Sequence, residues 1–173
     1  MKKKSVRSRL VVYGLGIALA SLMVYDRTKW PHWSDLNNDG LNTREEMLIR
    51  DGCDDGLCVC PYSEKLIQGN GHLDHIISLS EAYWHGGWKW PLWKRENFAN
   101  DPENLLMTDA GTNISKSNRS EADWMPDSQM FLPIYIEKRL DIRIKYDLTM
   151  DARDCKAILS KLNQKESSLD LGK

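Results

Sequence analysis

Leu73-Asp74-His75-Ile76-Ile77, then Phe98-Ala99-Asn100-Asp101-Pro102-Glu103-Asn104-Leu105-Leu106, then Thr112-Asn113-Ile114-Ser115-Lys116 are the segments on which the reading of this chain turns. They set a carboxylate beside an imidazole and an asparagine at the opening of an apolar run. A second asparagine follows nine residues later, with a lysine three positions beyond it. Gly69-Asn70-Gly71 is a turn signal, and the apolar residues after it predict a short strand over 73–77. Residues 105–108 predict a second strand and 112–118 a helix, which puts Asn113 and Lys116 on one helix face. The order is strand, long connection, strand, helix.

These residue types suit hydrolysis of a phosphodiester. That reaction needs an activated water, neutralisation of the non-bridging oxygens and stabilisation of the leaving oxygen. Asp74 and the side-chain carbonyl of Asn113 are hard oxygen donors suited to one divalent cation, Mg²⁺ or Mn²⁺. His75 is the candidate general base, since an unperturbed imidazole titrates near about 6.5. Asn104 can hold the loop that carries His75 by bonding to its backbone. Lys116, Arg119 and Arg95 are the candidate phosphate-binding cations. An Asp-His pair alone is common, and either asparagine could simply open a strand or helix. Order and spacing together raise the set above that background.

The same segments resemble the HNH endonuclease superfamily, and within it a branch of small exported bacterial nucleases. The branch pattern is D-H-hydrophobic-hydrophobic-P-L, R-x-x-F-A-N-D-P-x-N-L, N-x-x-K and W-x-P. This chain has Asp74 to Leu79, Arg95 to Leu105, Asn113 to Lys116, and Trp124-Met125-Pro126, with Ser78 in place of the usual proline. The match is close over residues 73–126 and looser back to Trp33 and forward to Leu148. The resemblance implies an α+β, mainly helical fold, with a ββα-metal core and flanking helices. It implies His75 as base, Asp74 and Asn113 as metal ligands, and Asn104 in the place of the motif's middle asparagine. It also implies 5′-phosphate and 3′-hydroxyl product ends.

The chain's 173 residues accommodate one domain, expected over 26–173, after a leader over 1–25. Lys2, Lys3, Lys4, Arg7 and Arg9 precede an uncharged, mostly apolar run from Leu10 to Tyr25. That run is short for a membrane span, which takes roughly 20 residues. Ala18-Leu19-Ala20 offers a cleavage site, so both a removed signal peptide and a retained anchor stay open. The expected location is periplasmic or secreted, or tethered to the inner membrane facing outward. Taking those five cations from the 24 basic side chains leaves 19 against 25 acidic ones, a net of −6. That excludes a protein that coats DNA through a broad basic face, though not one with a basic cleft.

Seven tryptophans against two phenylalanines suggest indoles used as core, with base stacking as the sharper alternative. Export makes disulfides of the four cysteines plausible chemistry. Cys53, Cys58 and Cys60 cluster, and a bridge from Cys155 is expected to tie the C-terminal helix to them. The C-x4-C-x-C spacing is a weak zinc signal. Helices are also expected up to about Arg50, over 81–84, 92–98, 129–146 and 151–163.

Asp35, Asn37, Asp39, Gly40 and Glu46 fit the spacing of a twelve-residue calcium loop. Against that stand the poor entering helix at Trp30-Pro31-His32-Trp33 and Asn42 at a position usually aliphatic. The rival reading assigns the run to the nuclease domain, with Arg44 reaching its cleft. Two functions follow as expectations. The first is a metal-dependent endonuclease of low sequence specificity, acting on DNA in preference to RNA. The second is a calcium-stabilised extracytoplasmic binding domain on an inactive scaffold of the same kind. No residue pattern points to a protein partner.

Overall fold

The computed structural model describes residues 24–67, 69 and 71–170, so the leader expected over 1–25 lies outside the described residues except for its last two. The elements run α1 (Thr43–Arg50), β1 (Cys58–Val59), β2 (Leu66–Ile67), β3 (His72–His75), α2 (Leu79–Trp84), α3 (Leu92–Ala99), β4 (Leu105–Thr108), α4 (Ala110–Lys116), α5 (Leu132–Tyr146) and α6 (Ala152–Asp170). Short 3-10 turns lie at Arg27–Lys29, Gly87–Lys89 and Pro102–Asn104. This is the expected α+β class with helices predominating.

All four residues of β4 are buried, so both of its faces are covered, as the apolar run Leu105-Leu106-Met107 requires. It pairs antiparallel with β3 in the register His72↔Thr108, Leu73↔Met107, Asp74↔Leu106 and His75↔Leu105. The chain turns directly from β4 into α4, whose first turn is capped by Asp109 accepting from the Thr112 N–H. The strand, long connection, strand, helix order is therefore observed. A second, two-stranded ribbon of β1 and β2 was not anticipated, because two-residue strands are too short to show alternation.

Caps explain the remaining boundaries. Asn42 caps α1 in a reciprocal box with Glu45, which is why a polar residue stands there. Ser78 caps α2 by accepting from the Glu81 N–H, so the residue replacing the branch's proline still opens a helix. Gly87 follows the break, and a Cβ there would come within 2.7 Å of the Ala82 carbonyl and 2.9 Å of the Trp30 ring. Trp30 is thereby packed against the chain, with Trp90 and Phe98 rings at 5.8 and 5.9 Å. A second aromatic group centres on Tyr62, ringed by Trp124, Phe131 and Tyr135.

α5 carries two buried arginines. Arg139 and Arg143 both pair with Glu81 of α2 and with Glu121, and Arg139 also donates to the Ile76 carbonyl at 2.5 Å. Burial would raise the Glu121 carboxyl, but the two guanidiniums outweigh it and hold the group at about 2. This network fastens α5 to the turn that leaves β3.

Two expectations are corrected. Cys53 is bridged to Cys58, while Cys60 is buried and free and Cys155 is exposed and free. Asp154 and Ile158 occupy the inward stripe of α6, so Cys155 points outward. Trp30 and Trp90 are core and Trp33 and Trp124 half-buried, but Trp84, Trp88 and Trp93 are exposed, Trp93 at 63 %. The latter three sit on the outer faces of α2, α3 and the turn between them.

Candidate active site

A cavity of about 460 Å³ opens at the end of β3, and Asp74, His75 and Asn113 all line it, together with Arg27, Tyr25 and Ser80. Successive strand residues point to opposite faces, so Asp74 and His75 are held by different neighbours. The His75 ring lies parallel to Trp33, with centroids 5.6 Å apart and planes 18° apart. Its Nε2 is 2.8 Å from the Ala99 carbonyl. A carbonyl only accepts, so Nε2 carries the proton and Nδ1 keeps the lone pair. Burial lowers the imidazole to about 3, more than the Ala99 bond raises it, and the ring is neutral at physiological pH.

Asp74 is held from the other side. Its carboxylate accepts from the Tyr62 hydroxyl at 2.9 Å and from the Lys116 ammonium at 3.0 Å. Lys116 also donates to the His75 carbonyl at 2.8 Å, so one ammonium fixes the backbone between both residues. Burial pushes the Asp74 carboxyl up and the Lys116 ammonium down, and each partner's charge opposes that shift. Burial and the Asp74 charge push the Tyr62 hydroxyl well up, so it remains a donor.

Asn104 is wholly buried and brackets the following residues. Its side-chain oxygen accepts from the Ile77 N–H at 2.8 Å, its amide donates to the Ile77 carbonyl, and its own carbonyl accepts from Ile76. Thus Lys116 and Asn104 anchor the strand end on both sides of the imidazole. Asn113 is half-buried on α4, with its amide 3.3 Å from Nδ1 of His72. Asp74 and Asn113 supply a carboxylate and an amide to one cavity, a donor set that fits a hard divalent cation. Each Asp74 oxygen retains lone pairs beyond those its two donors use.

The expected phosphate cations are arranged differently. Lys116, at 0 % exposure, faces the interior and not an incoming phosphate. Arg95 lies over the Trp30 ring and donates to the Trp88 carbonyl, and Arg119 is exposed just past α4. None of the three is among the described residues lining the cavity, whereas Arg27 is. Arg27, Trp33 and Tyr62 were missed in the sequence because each reaches the motif from a distant segment, and the Ala99 carbonyl because a backbone acceptor inside the motif leaves no side-chain signal. Only Trp33 had a signal, the looser end of the motif resemblance. Arg44 donates to the Gly71 carbonyl at the entry to β3 and does not line the cavity.

The acidic loop before α1 is tightly folded. Asp35 accepts from the N–H groups of Asp39 and Gly40, and Asp39 accepts from Leu41. Gly40 has φ of +92°, a conformation that favours glycine. The Asn37 amide donates to both Asp39, at 2.8 Å, and Glu46, at 2.9 Å. The four side chains expected to hold calcium are therefore neighbours, with an amide nitrogen between two carboxylates.

Comparison with known proteins places the chain in a family. The family model for the C-terminal domain of GmrSD restriction endonucleases matches residues 28–165. An uncharacterised secreted protein of Arthroderma benhamiae is 30% identical over 154 residues, covering 80% of this chain and 74% of that protein. No solved structure matches the chain. No described helix is long and apolar enough to cross a membrane, and the relative's secreted label fits export. With an Asp-His strand end, an asparagine clamp and a matching model over most of its length, the chain belongs to the family of GmrSD restriction endonuclease C-terminal domains, and so to the HNH nucleases.

Proposed function

We propose that this nuclease domain is an exported, metal-dependent endonuclease that hydrolyses phosphodiester bonds with His75 as general base, on DNA in preference to RNA. The observation that carries the reading is the tautomer of His75: Nε2–H is committed to the Ala99 carbonyl, leaving Nδ1 to take a proton from water. Trp33 fixes the ring plane, and Lys116 and Asn104 fix the backbone on either side, so the base is oriented before substrate arrives. A phosphate entering the cavity brings negative charge that strengthens a base depressed by burial.

Asp74 and Asn113 would hold Mg²⁺ or Mn²⁺, which supplies charge neutralisation at the non-bridging and leaving oxygens. Lys116 sets the orientation of Asp74 and does not contact phosphate. Arg27 at the wall, with Arg119 beyond α4, receives the backbone phosphates. Residues 26–173 form the exported domain, and 1–25 deliver it as a signal peptide or anchor. The loop of Asp35, Asn37, Asp39 and Glu46 is a structural Ca²⁺ site once the Asn37 amide turns its oxygen inward.

The test is plasmid nicking by the purified protein with Mg²⁺ or Mn²⁺, beside an RNA substrate of equal length. Cleavage of plasmid that stops in excess chelator is the expected result. Undiminished cleavage in chelator would refute the metal requirement, and faster cleavage of RNA would reverse the substrate preference.

A further inference from the structure

Away from the nuclease cavity, α2 ends at His85, and the turn after α5 brings Asp151 and Asp154 beside it. A ring nitrogen of His85 and one carboxylate oxygen from each aspartate lie within 4.8 Å of one another. Among the described residues this is the one such group of three histidine, cysteine or acidic side chains. We propose that His85, Asp151 and Asp154 form a structural site for a first-row divalent cation, Zn²⁺ foremost, that pins the start of α6 to the end of α2.

The orientation of each side chain supports a ligand role. Thr149 Oγ donates its single proton to the His85 carbonyl at 3.2 Å. The same oxygen lies 3.2 Å from Nδ1 of His85, and it can only accept there. Nδ1 therefore carries the proton, and Nε2 is left with its lone pair for a cation. Metal-bound histidines are oriented in this way, through a bond from the other ring nitrogen. The Thr149 N–H adds a 3.0 Å bond to the His85 carbonyl, so the ring's support is backbone as well as side chain.

Asp154 gives the independent observation. The residue is 1 % exposed, and Oδ1 alone takes both of its bonds, from the Ser120 hydroxyl at 2.5 Å and the Ala122 N–H at 2.9 Å. Oδ2 has no hydrogen-bond partner among the described residues. With Oδ1 taken by two donors, Oδ2 is the oxygen that remains to meet a cation. The nearby guanidiniums are engaged elsewhere, Arg143 with Glu81, Glu121 and the Thr149 carbonyl, and Arg153 with Asp123. Asp151 is exposed and free to swing inward. One imidazole and two carboxylates, with the remaining positions open to water, suit Zn²⁺ better than the larger Ca²⁺, which takes six to eight oxygens.

The experiment is thermal unfolding and calorimetric titration of the full chain, stripped with chelator and then given Zn²⁺, Mn²⁺, Mg²⁺ or Ca²⁺ singly. Zn²⁺ at a hundredfold excess over Kd should raise the Tm by about 5–10 °C for a chain of this size. His85→Gln and Asp151→Asn should each weaken Zn²⁺ binding at least tenfold and remove the rise. Asn113→Ala, in the nuclease cavity, should leave it intact. Asp151 is exposed, so its variant remains informative if His85→Gln folds poorly. No rise with Zn²⁺, or a rise that survives Asp151→Asn, would overturn the proposal. So would a rise abolished by Asn113→Ala alone, which would locate the cation in the other cavity.

Discussion

Lowering the pH should destabilise this protein through His75 before its carboxylates titrate in bulk. In the unfolded chain the imidazole takes a proton near pH 6.5, and in the folded chain burial delays this to about 3. Between those values the unfolded state binds the extra proton, so stability falls as pH falls. The slope is about 1.4 kcal/mol for each pH unit once well below the unfolded pKa. At pH 4.5 the loss is about 2.5 kcal/mol, a large part of the roughly 5–15 kcal/mol that holds a domain together. Urea unfolding of the wild type and of His75→Gln, from pH 7 to 4.5 with chelator present, isolates the contribution. Glutamine cannot take up the proton, so the stability difference between the two proteins should move by about 2.5 kcal/mol in favour of the variant as pH falls. A difference that stays flat within 0.5 kcal/mol (about a third of one pH unit's effect) would show that His75 is not buried and neutral as described.

Three other perturbations follow from the contacts. Lys116→Met leaves Asp74 buried with Tyr62 as its remaining donor and should cost about 3–5 kcal/mol, most of it recovered by adding Asp74→Asn, as a chemical-denaturation cycle would show. Arg139→Met strips Glu81 and Glu121 of one shared cation and should cost a similar amount, read as a Tm lower by about 6–20 °C. Arg27→Ala, at an exposed position, should leave Tm unchanged, weaken DNA binding and flatten the salt dependence of the affinity by about one unit of log–log slope.

The parts of this molecule that were legible in the sequence are those set by neighbours along the chain. Leu105 to Met107 is apolar and, with Thr108, forms a buried strand, and Asn42 with Glu45 writes its own capping box. Asp74, His75 and Asn113 were identified by spacing and do share a cavity. What stayed hidden was set by distant segments. Tyr62 lies twelve residues from Asp74 and Trp33 more than forty from His75, and no local pattern ties either pair. The polarity of Lys116 argued for solvent, yet a carboxylate inside the fold draws it inward. α5 showed no clean period because two of its inward residues, Arg139 and Arg143, are charged, while Ile134 and Ile144 face out.

His75 is most directly tested by single-turnover plasmid cleavage with saturating Mg²⁺, comparing wild type with His75→Ala and with His75→Gly supplied with free imidazole. Loss of a general base should slow the chemical step by about 10²- to 10⁴-fold, and imidazole should restore part of the rate to His75→Gly. An alanine variant that cuts within threefold of wild type, while folded, would contradict the assignment.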